Sequence, residues 1–203
     1  MLILITPPAE EPVSLEAAKL HLRNPPDLED DLVAELIVAA RRMCEGWLRR
    51  TFITSTWELT LDGFPGCRYY GDDLRSLERD AVGTRYGIQL PNPPLISVTS
   101  IKYVAGDGTT QTVDPSRYQV ETGTPGRVVP IAGSSWPTTR RQPGAVTIRF
   151  VAGYGDAADV PASIKIAMKL YLTSLYENRG EDDVPLPRAA ERVMTAEDWG
   201  FYA

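Results

Sequence analysis

The feature that most constrains the fold is the stretch from Val146 to Gly180, where a β-rich segment passes through a glycine-rich turn into a long helix pattern. Residues 146–151 alternate as a strand does, and the glycines after them break that pattern. Pro161 suits the first position of a helix, because its missing N–H has no partner there. The pattern predicts a helix from residue 161 to residue 179, with Gly180 as the cap beyond its end.

This predicted helix is apolar on two sides. One broad face carries seven apolar or aromatic residues: Ile164, Ala167, Met168, Tyr171, Leu172, Leu175 and Tyr176. Ile166 and Leu170 fall on the other side. They either contact a neighbouring subunit or lie under the β region of the same chain, and the sequence leaves both possibilities open.

A second amphipathic helix is predicted from about Leu28 to Arg50, with acidic residues at its start and arginines towards its end, as the helix dipole favours. Its apolar residues form one continuous face: Leu28, Leu32, Val33, Leu36, Ile37, Ala40, Met43, Cys44, Trp47 and Leu48. Since burying each large side chain is worth on the order of 1.5–3 kcal/mol, we expect this face to be covered. A short helix capped by Ser14 precedes it, and residues 1–13 are expected to form an extended arm.

Between these helices the periodicity changes from helical to alternating. Residues 54–61 predict a strand, and several short strand-like pieces follow, with a tight hairpin at residues 105–108. A long segment, residues 63–87, interrupts them, and connections of this length are usually functional or mobile. It contains four residues typical of interfaces, Tyr69, Tyr70, Arg75 and Arg79. A solvated flap is the alternative interpretation of this segment.

The order of elements predicts an α+β fold: a helical bundle, made of two N-terminal helices and one long C-terminal helix, with an inserted small antiparallel β region and an extended C-terminal tail. We assign residues 1–180 to a single domain, with helices at about 14–50 and 161–179 and the β region at about 54–154. Residues 181–203 form the tail, in which residues 188–195 are predicted to form one short helix.

The tail ends in an unusual aromatic cluster. Trp199, Phe201 and Tyr202 lie within its last five residues, which is not typical of a tail that only frays. We expect these side chains to dock on a partner, with packing on their own domain as the alternative.

The charge and apolar pattern exclude some function classes. A net charge of −6 argues against tight nucleic-acid binding, which depends on clustered Lys and Arg. No apolar run approaches the roughly 18 residues of a membrane span, and the apolar start is too short for a signal peptide, so we expect a cytoplasmic protein without a membrane partner. Cys44 and Cys67 are expected to be reduced.

Residues capable of catalysis or metal binding are few. His21 is the only histidine in the sequence, and no nucleophile has a recognisable local signature. The acidic runs at residues 29–31 and 181–183 lack the spacing of a calcium loop. We therefore predict no enzyme, no cofactor and no metal. The alternatives are a metal-dependent packaging or entry enzyme (a nuclease or hydrolase) and an acidic regulatory binding module.

Short motifs follow one another in a fixed order over about residues 10–180. They are Trp47 in the early helix pair, Leu90-Pro91 with Pro93-Pro94-Leu95, Ser100-Ile101-Lys102-Tyr103, Trp136-Pro137, Phe150-x-Ala152-Gly153-Tyr154, Val160-Pro161-x-x-Ile164-Lys165 and Tyr176-Glu177-x-Arg179. In this order and spacing the sequence resembles the head–tail connector, or adaptor, proteins of long-tailed phages and of gene transfer agents. The segment 63–87 and the tail after residue 180 depart from the family pattern.

The resemblance implies a structural protein without catalytic residues. Its copies form a ring, expected to be a dodecamer, beneath the portal protein at the capsid vertex. The ring extends the DNA channel, through which DNA passes without specific binding, and joins the capsid to a stopper or tail-completion protein. The implied location is the head–tail interface of a virion or phage-like particle assembled in the host cytoplasm.

Within this interpretation two sets of contact residues are expected. Trp199, Phe201 and Tyr202 bind the portal. The subunit interface contains Ile166, Leu170, Tyr69, Tyr70, Arg75 and Arg79.

Overall fold

A computed structural model of the chain describes residues 1–23, 26–65, 87–179, 181 and 184–197. The strands and α-helices in these ranges are, in chain order, β1 (Leu2–Thr6), α1 (Leu15–His21), α2 (Asp30–Leu48), β2 (Ser55–Leu61), β3 (Ile88–Leu90), β4 (Leu95–Val104), β5 (Thr110–Thr112), β6 (Tyr118–Glu121), β7 (Gly126–Pro130), β8 (Val146–Ala152), α3 (Ala162–Glu177) and α4 (Arg188–Glu197). Short 3-10 turns at Asp27–Glu29 and Pro115–Arg117 precede α2 and β6.

The chain divides into two compact units. The described part of the first, the β unit, is Met1–Pro7 and Ser55–Gly153. The second, the helical unit, is Pro8–Thr54 and the described residues from Tyr154 onward. Each unit has a hydrophobic core of its own.

The β unit is made of two antiparallel sheets. One has five strands in the order β1-β2-β8-β4-β5, and the other has three in the order β3-β7-β6. Inward-facing residues of both sheets, such as Ile148 and Phe150 of β8 and Val128 of β7, form one core and are fully buried. On β8 these residues alternate with more accessible ones, as expected for a sheet with one buried face.

A glycine allows the two sheets to approach closely. A Cβ atom on Gly126, the first residue of β7, would lie 2.1 Å from the Cβ of Leu95 in β4. Leu95 is in turn held by paired backbone hydrogen bonds with Gly123, both of 2.9 Å. Because the backbone is fixed here, the neighbouring leucine has no room to move away. Elsewhere in this core, the rings of Phe64 and Trp136 stack with centroids 4.7 Å apart.

The helical unit is built around α2 and α3, with α1 and α4 packed on them. Ser14 caps α1, since its side-chain oxygen accepts a hydrogen bond from the Ala17 N–H at 3.2 Å. At the other end of the unit, Ala190 and Met194 of α4 are fully buried in the same core. The Ser163 hydroxyl also donates to Glu197 Oε1 at 2.6 Å, so α4 is anchored by packing and by a hydrogen bond.

A charged network joins three parts of the helical unit. Arg41 of α2 donates through Nε to Glu11 Oε2 and through Nη1 to Glu45 Oε2, both at 2.7 Å. The other oxygen of Glu45 accepts from the Phe52 N–H at 2.9 Å. Burial raises the pKa of Glu45, even though the hydrogen bonds and the guanidinium favour its charged form. The Arg41 guanidinium therefore stabilises the charged form of the buried Glu45 carboxylate.

The predicted helical bundle with a small β insertion is wrong. Helix and strand content are about equal, and the sheets form a core of their own. The cause is that β1, β2, β4 and β8 pair across long stretches of sequence, which short proline-interrupted strands do not reveal locally. The first residues, expected to be an extended arm, are an edge strand. The short helix predicted in the tail is present as α4, and it is packed into the helical core instead of belonging to an extended tail.

Replacing Gly126 by alanine should destabilise the protein by about 1–3 kcal/mol, because the added methyl group overlaps Leu95 in a packed core. The matched control is Gly46→Ala on α2, where a Cβ meets nothing within 4 Å and helix propensity should give a gain of about 0.5–1 kcal/mol. Urea unfolding measures both changes. Equal stability of the two variants would contradict the close approach at Gly126.

Replacing Arg41 by methionine should cost about 3 kcal/mol, because it leaves the carboxylate of Glu45 buried without its counter-charge. The double variant Arg41→Met/Glu45→Gln should recover part of that loss. Since burial already raises the folded-state pKa of Glu45, its protonation favours the folded state, and the loss in Arg41→Met should shrink as the pH falls through that pKa. A loss independent of both pH and Glu45 would show that Arg41 acts through packing alone.

Candidate interaction surfaces

The first candidate surface is the outer side of α3, where Ile166 and Leu170 were predicted to meet a neighbour. Ile166 is 52% exposed, since the helical period places it opposite the buried face that carries Met168. Leu170, one turn further on, is half-buried against the helical core. The exposed apolar surface at this point of α3 is therefore centred on Ile166.

The remaining predicted contact residues lie outside the described residues. Tyr69, Tyr70, Arg75 and Arg79 belong to one such segment, and Trp199, Phe201 and Tyr202 to another. The same applies to Gly180, the predicted cap, and to Cys67. Their roles stay predictions.

A second apolar surface lies on α2 and was missed by the sequence reasoning. Met43 and Trp47 are 47% and 38% exposed, although both belong to the face that was expected to be covered. The two residues are four apart and so lie next to each other on the helix surface. The residues of α2 that are buried, such as Ile37 and Cys44, occupy a narrower stripe. The width of the apolar stripe in the sequence indicated that part of it stays exposed, because one packed neighbour does not cover so wide a face of a helix.

The β unit presents exposed apolar residues at one edge of its larger sheet. Ile3, Leu4 and Ile5 of β1 are each about two-fifths exposed. No charged side chain occurs in this strand, whose sequence is Leu-Ile-Leu-Ile-Thr. The sequence reasoning did not predict this surface, because it treated these residues as an arm.

The acidic run at the start of α2 takes part in ion pairs and hydrogen bonds. Lys19 Nζ lies 2.5 Å from an oxygen of Asp27 and 2.6 Å from one of Asp30. Glu29 accepts a hydrogen bond from the Tyr176 hydroxyl and lies 3.5 Å from the Arg179 guanidinium. The bond and charge of Lys19 hold the pKa of Asp27 below its usual range. These carboxylates join α1, α2 and α3 of the helical unit.

Groups suited to chemistry are scarce in the described part of the chain. No three His, Cys, Asp or Glu side chains within it are placed to hold a metal ion. Cys44 is fully buried and free, and burial raises the pKa of its thiol to about 12, so it is not a thiolate at neutral pH. His21 is exposed at the end of α1. Among the described helices, none is long and apolar enough to cross a bilayer.

Comparisons with known proteins give matches only among solved structures. No family model matches the chain, and neither does any curated protein. One similar chain belongs to the virion of a native gene transfer agent (GTA) particle, with a TM-score of 0.73 and 20% identity over 97% of this chain and 94% of the other. A second belongs to the neck of an empty GTA particle computed with C6 symmetry, with a TM-score of 0.71 and 22% identity over 95% and 94%. A third belongs to the neck of a native GTA particle computed with C12 symmetry, with a TM-score of 0.62 and 21% identity over 95% and 94%.

These matches cover nearly the full length of both chains, so they concern the β unit and the helical unit together. The predicted location, a virion or phage-like particle, agrees with them. The chain has the fold of proteins found in the neck and virion of gene transfer agent particles, and the resemblance to head–tail connectors is confirmed at the level of the fold.

Proposed function

We propose that this chain is a structural component of the neck of a gene transfer agent or phage-like particle, and that it acts there as a head–tail adaptor. In that role its copies form a ring beneath the portal protein, extend the DNA channel and join the capsid to a stopper or tail component. The observation that carries the proposal is the fold shared over 97% of this chain with a protein of a GTA virion. A shared fold alone does not determine function, so the contacts below supply the rest of the argument.

The ring is proposed to have twelve copies. A similar chain comes from a neck computed with C12 symmetry. Rings of this kind need two different surfaces on each copy, because each subunit contacts one neighbour on either side. Ile166 on α3 and the pair Met43 and Trp47 on α2 are exposed apolar residues suited to such contacts. Tyr69, Tyr70, Arg75 and Arg79 have the composition of the same type of interface.

The portal is proposed to bind the aromatic residues at the end of the chain. The last described helix, α4, ends at Glu197, which accepts a hydrogen bond from Ser163 of α3. The end of α4 is therefore held on the helical unit, and the aromatic residues follow it directly in the sequence. Trp199 and Tyr202 can bury large apolar area while a polar group of each ring finds a partner, which is why such residues dominate binding energy at interfaces.

The acidic character of the chain suits a channel through which DNA moves. The net charge of −6 opposes tight binding to phosphates, and binding would slow the passage. Two acidic runs motivated the metal-enzyme alternative. In the run at the start of α2, Glu29 and Asp30 are paired with Lys19, Tyr176 and Arg179. Among the described residues, no observation favours a catalytic role.

Electron microscopy of the chain mixed with its cognate portal should show an added ring of density with the symmetry of the portal. Ile166→Asp should weaken ring formation, because it places a charge on an exposed apolar contact. Leu20→Asp is the matched control, since Leu20 is exposed on α1 and has no proposed contact. Portal particles without added density at saturating protein concentration would refute the adaptor role.

Truncation after Glu197 should weaken portal binding by about 100-fold or more, because it removes three aromatic anchors. The cut leaves α4 intact, so the unfolding midpoint in urea should stay unchanged. Surface plasmon resonance against immobilised portal measures the affinity, and Leu20→Ala serves as the full-length control. Portal affinity equal to that of the full chain would show that the tail is not the docking element.

A further inference from the structure

In the part of the chain that the structure describes, the larger sheet of the β unit has two open edges. Its strand order places β1 at one edge and β5 at the other. Within the described residues, no strand pairs with the outer side of either one. Open edges of soluble proteins are usually protected by charged side chains, prolines, bulges or short strands. β1 and β5 contain no charged residue and no proline, although β5 has only three residues and β1 has an irregularity after Leu4. The backbone groups on their outer sides are therefore accessible to a partner strand.

The hydrogen bonds of β1 show which of its backbone groups are free to bond outward. Met1 and Thr60 exchange two bonds of 2.8 Å, and the register continues with Ile3 opposite Glu58. In an antiparallel ladder, every second residue bonds to the partner strand and the residues between them bond to the other side. The N–H and C=O groups of Leu2 and Leu4 therefore point away from β2. An irregularity follows Leu4 and ends this regular stretch.

The same reasoning applies to β5. Its ladder with β4 is framed by bonds of 2.8 Å from the Ala105 N–H to the Thr109 carbonyl and from the Val113 N–H to the Ile101 carbonyl. Odd-numbered residues of this segment thus bond to β4. The N–H and C=O groups of Thr110 and Thr112 point to the open side. Each edge strand therefore has two residues, two positions apart in the sequence, whose backbone groups point to the open side.

We propose that in the assembled ring β1 of one copy pairs with β5 of the next, so that the five-stranded sheet continues from subunit to subunit. This inference rests on the proposed function, because it takes the ring as given. Two different edges in contact make a head-to-tail interface, which is the type that closes a ring. Pairing of β1 with a second β1 would make a two-fold pair and leave β5 open.

The symmetry of the ring fixes the direction of this pairing. All neighbouring strands of the sheet are antiparallel, so β1 and β5, separated by three strands, run the same way. Adjacent copies in a twelvefold ring differ by a rotation of about 30°, which does not reverse a strand. The two strands therefore meet in parallel.

Parallel pairing also restricts the register to two possibilities, in which either Leu4 or Leu2 faces Gln111. In a parallel ladder one residue bonds to the two residues on either side of the one it faces. In the first register the Leu4 N–H donates to the Thr110 carbonyl, and the Thr112 N–H donates to the Leu4 carbonyl, so that Leu4 faces Gln111. In the second register Leu2 takes the place of Leu4. Leu4 is opposite Trp57 and Gln111 is opposite Tyr103, and both aromatic residues pack against the core of the β unit. The inner face of the sheet is thereby continuous across the contact.

A cysteine pair tests the first register. Leu4→Cys and Gln111→Cys are introduced together in a Cys67→Ser chain, while the buried, protonated Cys44 is kept. Within one subunit the two positions are separated by four strand spacings, which is at least about 19 Å. A disulfide requires Cα atoms within about 7 Å, so it can form only between copies. Oxidised rings should give a ladder of covalent oligomers on a non-reducing gel. Chains that carry only one of the two introduced cysteines should run as monomers on the same gel.

The outcomes separate the strand contact from the ring itself. The pair Leu2→Cys and Gln111→Cys tests the second register in the same way. A ring seen by electron microscopy, with only monomers on the gel from both pairs, would overturn the strand pairing and leave the adaptor role intact. Covalent dimers from the Leu4→Cys chain alone would show β1–β1 pairing and also overturn it. Absence of a ring under every condition, with or without portal, would overturn both proposals.

A charge substitution provides a second measurement that needs no cross-link. Leu4→Lys should raise the concentration needed for ring assembly at least 10-fold, because a charge at the edge opposes strand pairing. Ile96→Lys is the matched control: Ile96 is 40% exposed and Leu4 41%, but Ile96 lies in β4, an inner strand of the sheet. Equal effects of the two substitutions on assembly would contradict the proposal.

Discussion

The pairing of β8 on both of its edges is the interaction on which the β unit depends. Its residues bond to β2 on one side and to β4 on the other, and Val146, Ile148 and Phe150 between them are fully buried. Both partners precede β8 by many residues, and an isolated hairpin of the remaining strands would be marginal in water. Only the complete sheet therefore covers the core. This central position of β8 also leaves β1 and β5 at the edges.

What the sequence revealed about the fold was local. The Ser14 cap, the strand at Ser55–Leu61 and the hairpin between β4 and β5 each depend on neighbouring residues, and the structure confirms them. The strand order of the larger sheet depends on long-range contacts, because strands that are far apart in the sequence are neighbours in the sheet. Nothing within residues 1–13 indicates that β1 pairs with β2. The sequence favoured a helical bundle because helices are recognisable from their local periodicity, whereas long-range strand pairs leave no local pattern.

The exposure of the candidate contact residues could likewise be predicted only where it depends on local periodicity. Periodicity placed Ile166 correctly on an outer side of α3, but it did not show that Leu170 is half-buried, since that follows from the packing of α3 among the other helices. Met43 and Trp47 are exposed for the complementary reason: the apolar stripe of α2 is wider than the surface that covers it. The aromatic tail and the segment 63–87 were identified by composition alone, which indicates binding but not its geometry.

A closed ring requires both affinity and a fixed angle between copies, and the two kinds of exposed surface differ in what they supply. Apolar side chains such as Ile166 provide affinity, but their contacts tolerate sliding. Backbone edges provide direction and register, because each hydrogen bond specifies one donor and one acceptor. Backbone pairing also depends little on side-chain identity. A ring whose geometry rests on strand edges would keep its shape while its sequence diverges, and the fold of this chain persists at 20–22% identity to the neck proteins that it matches.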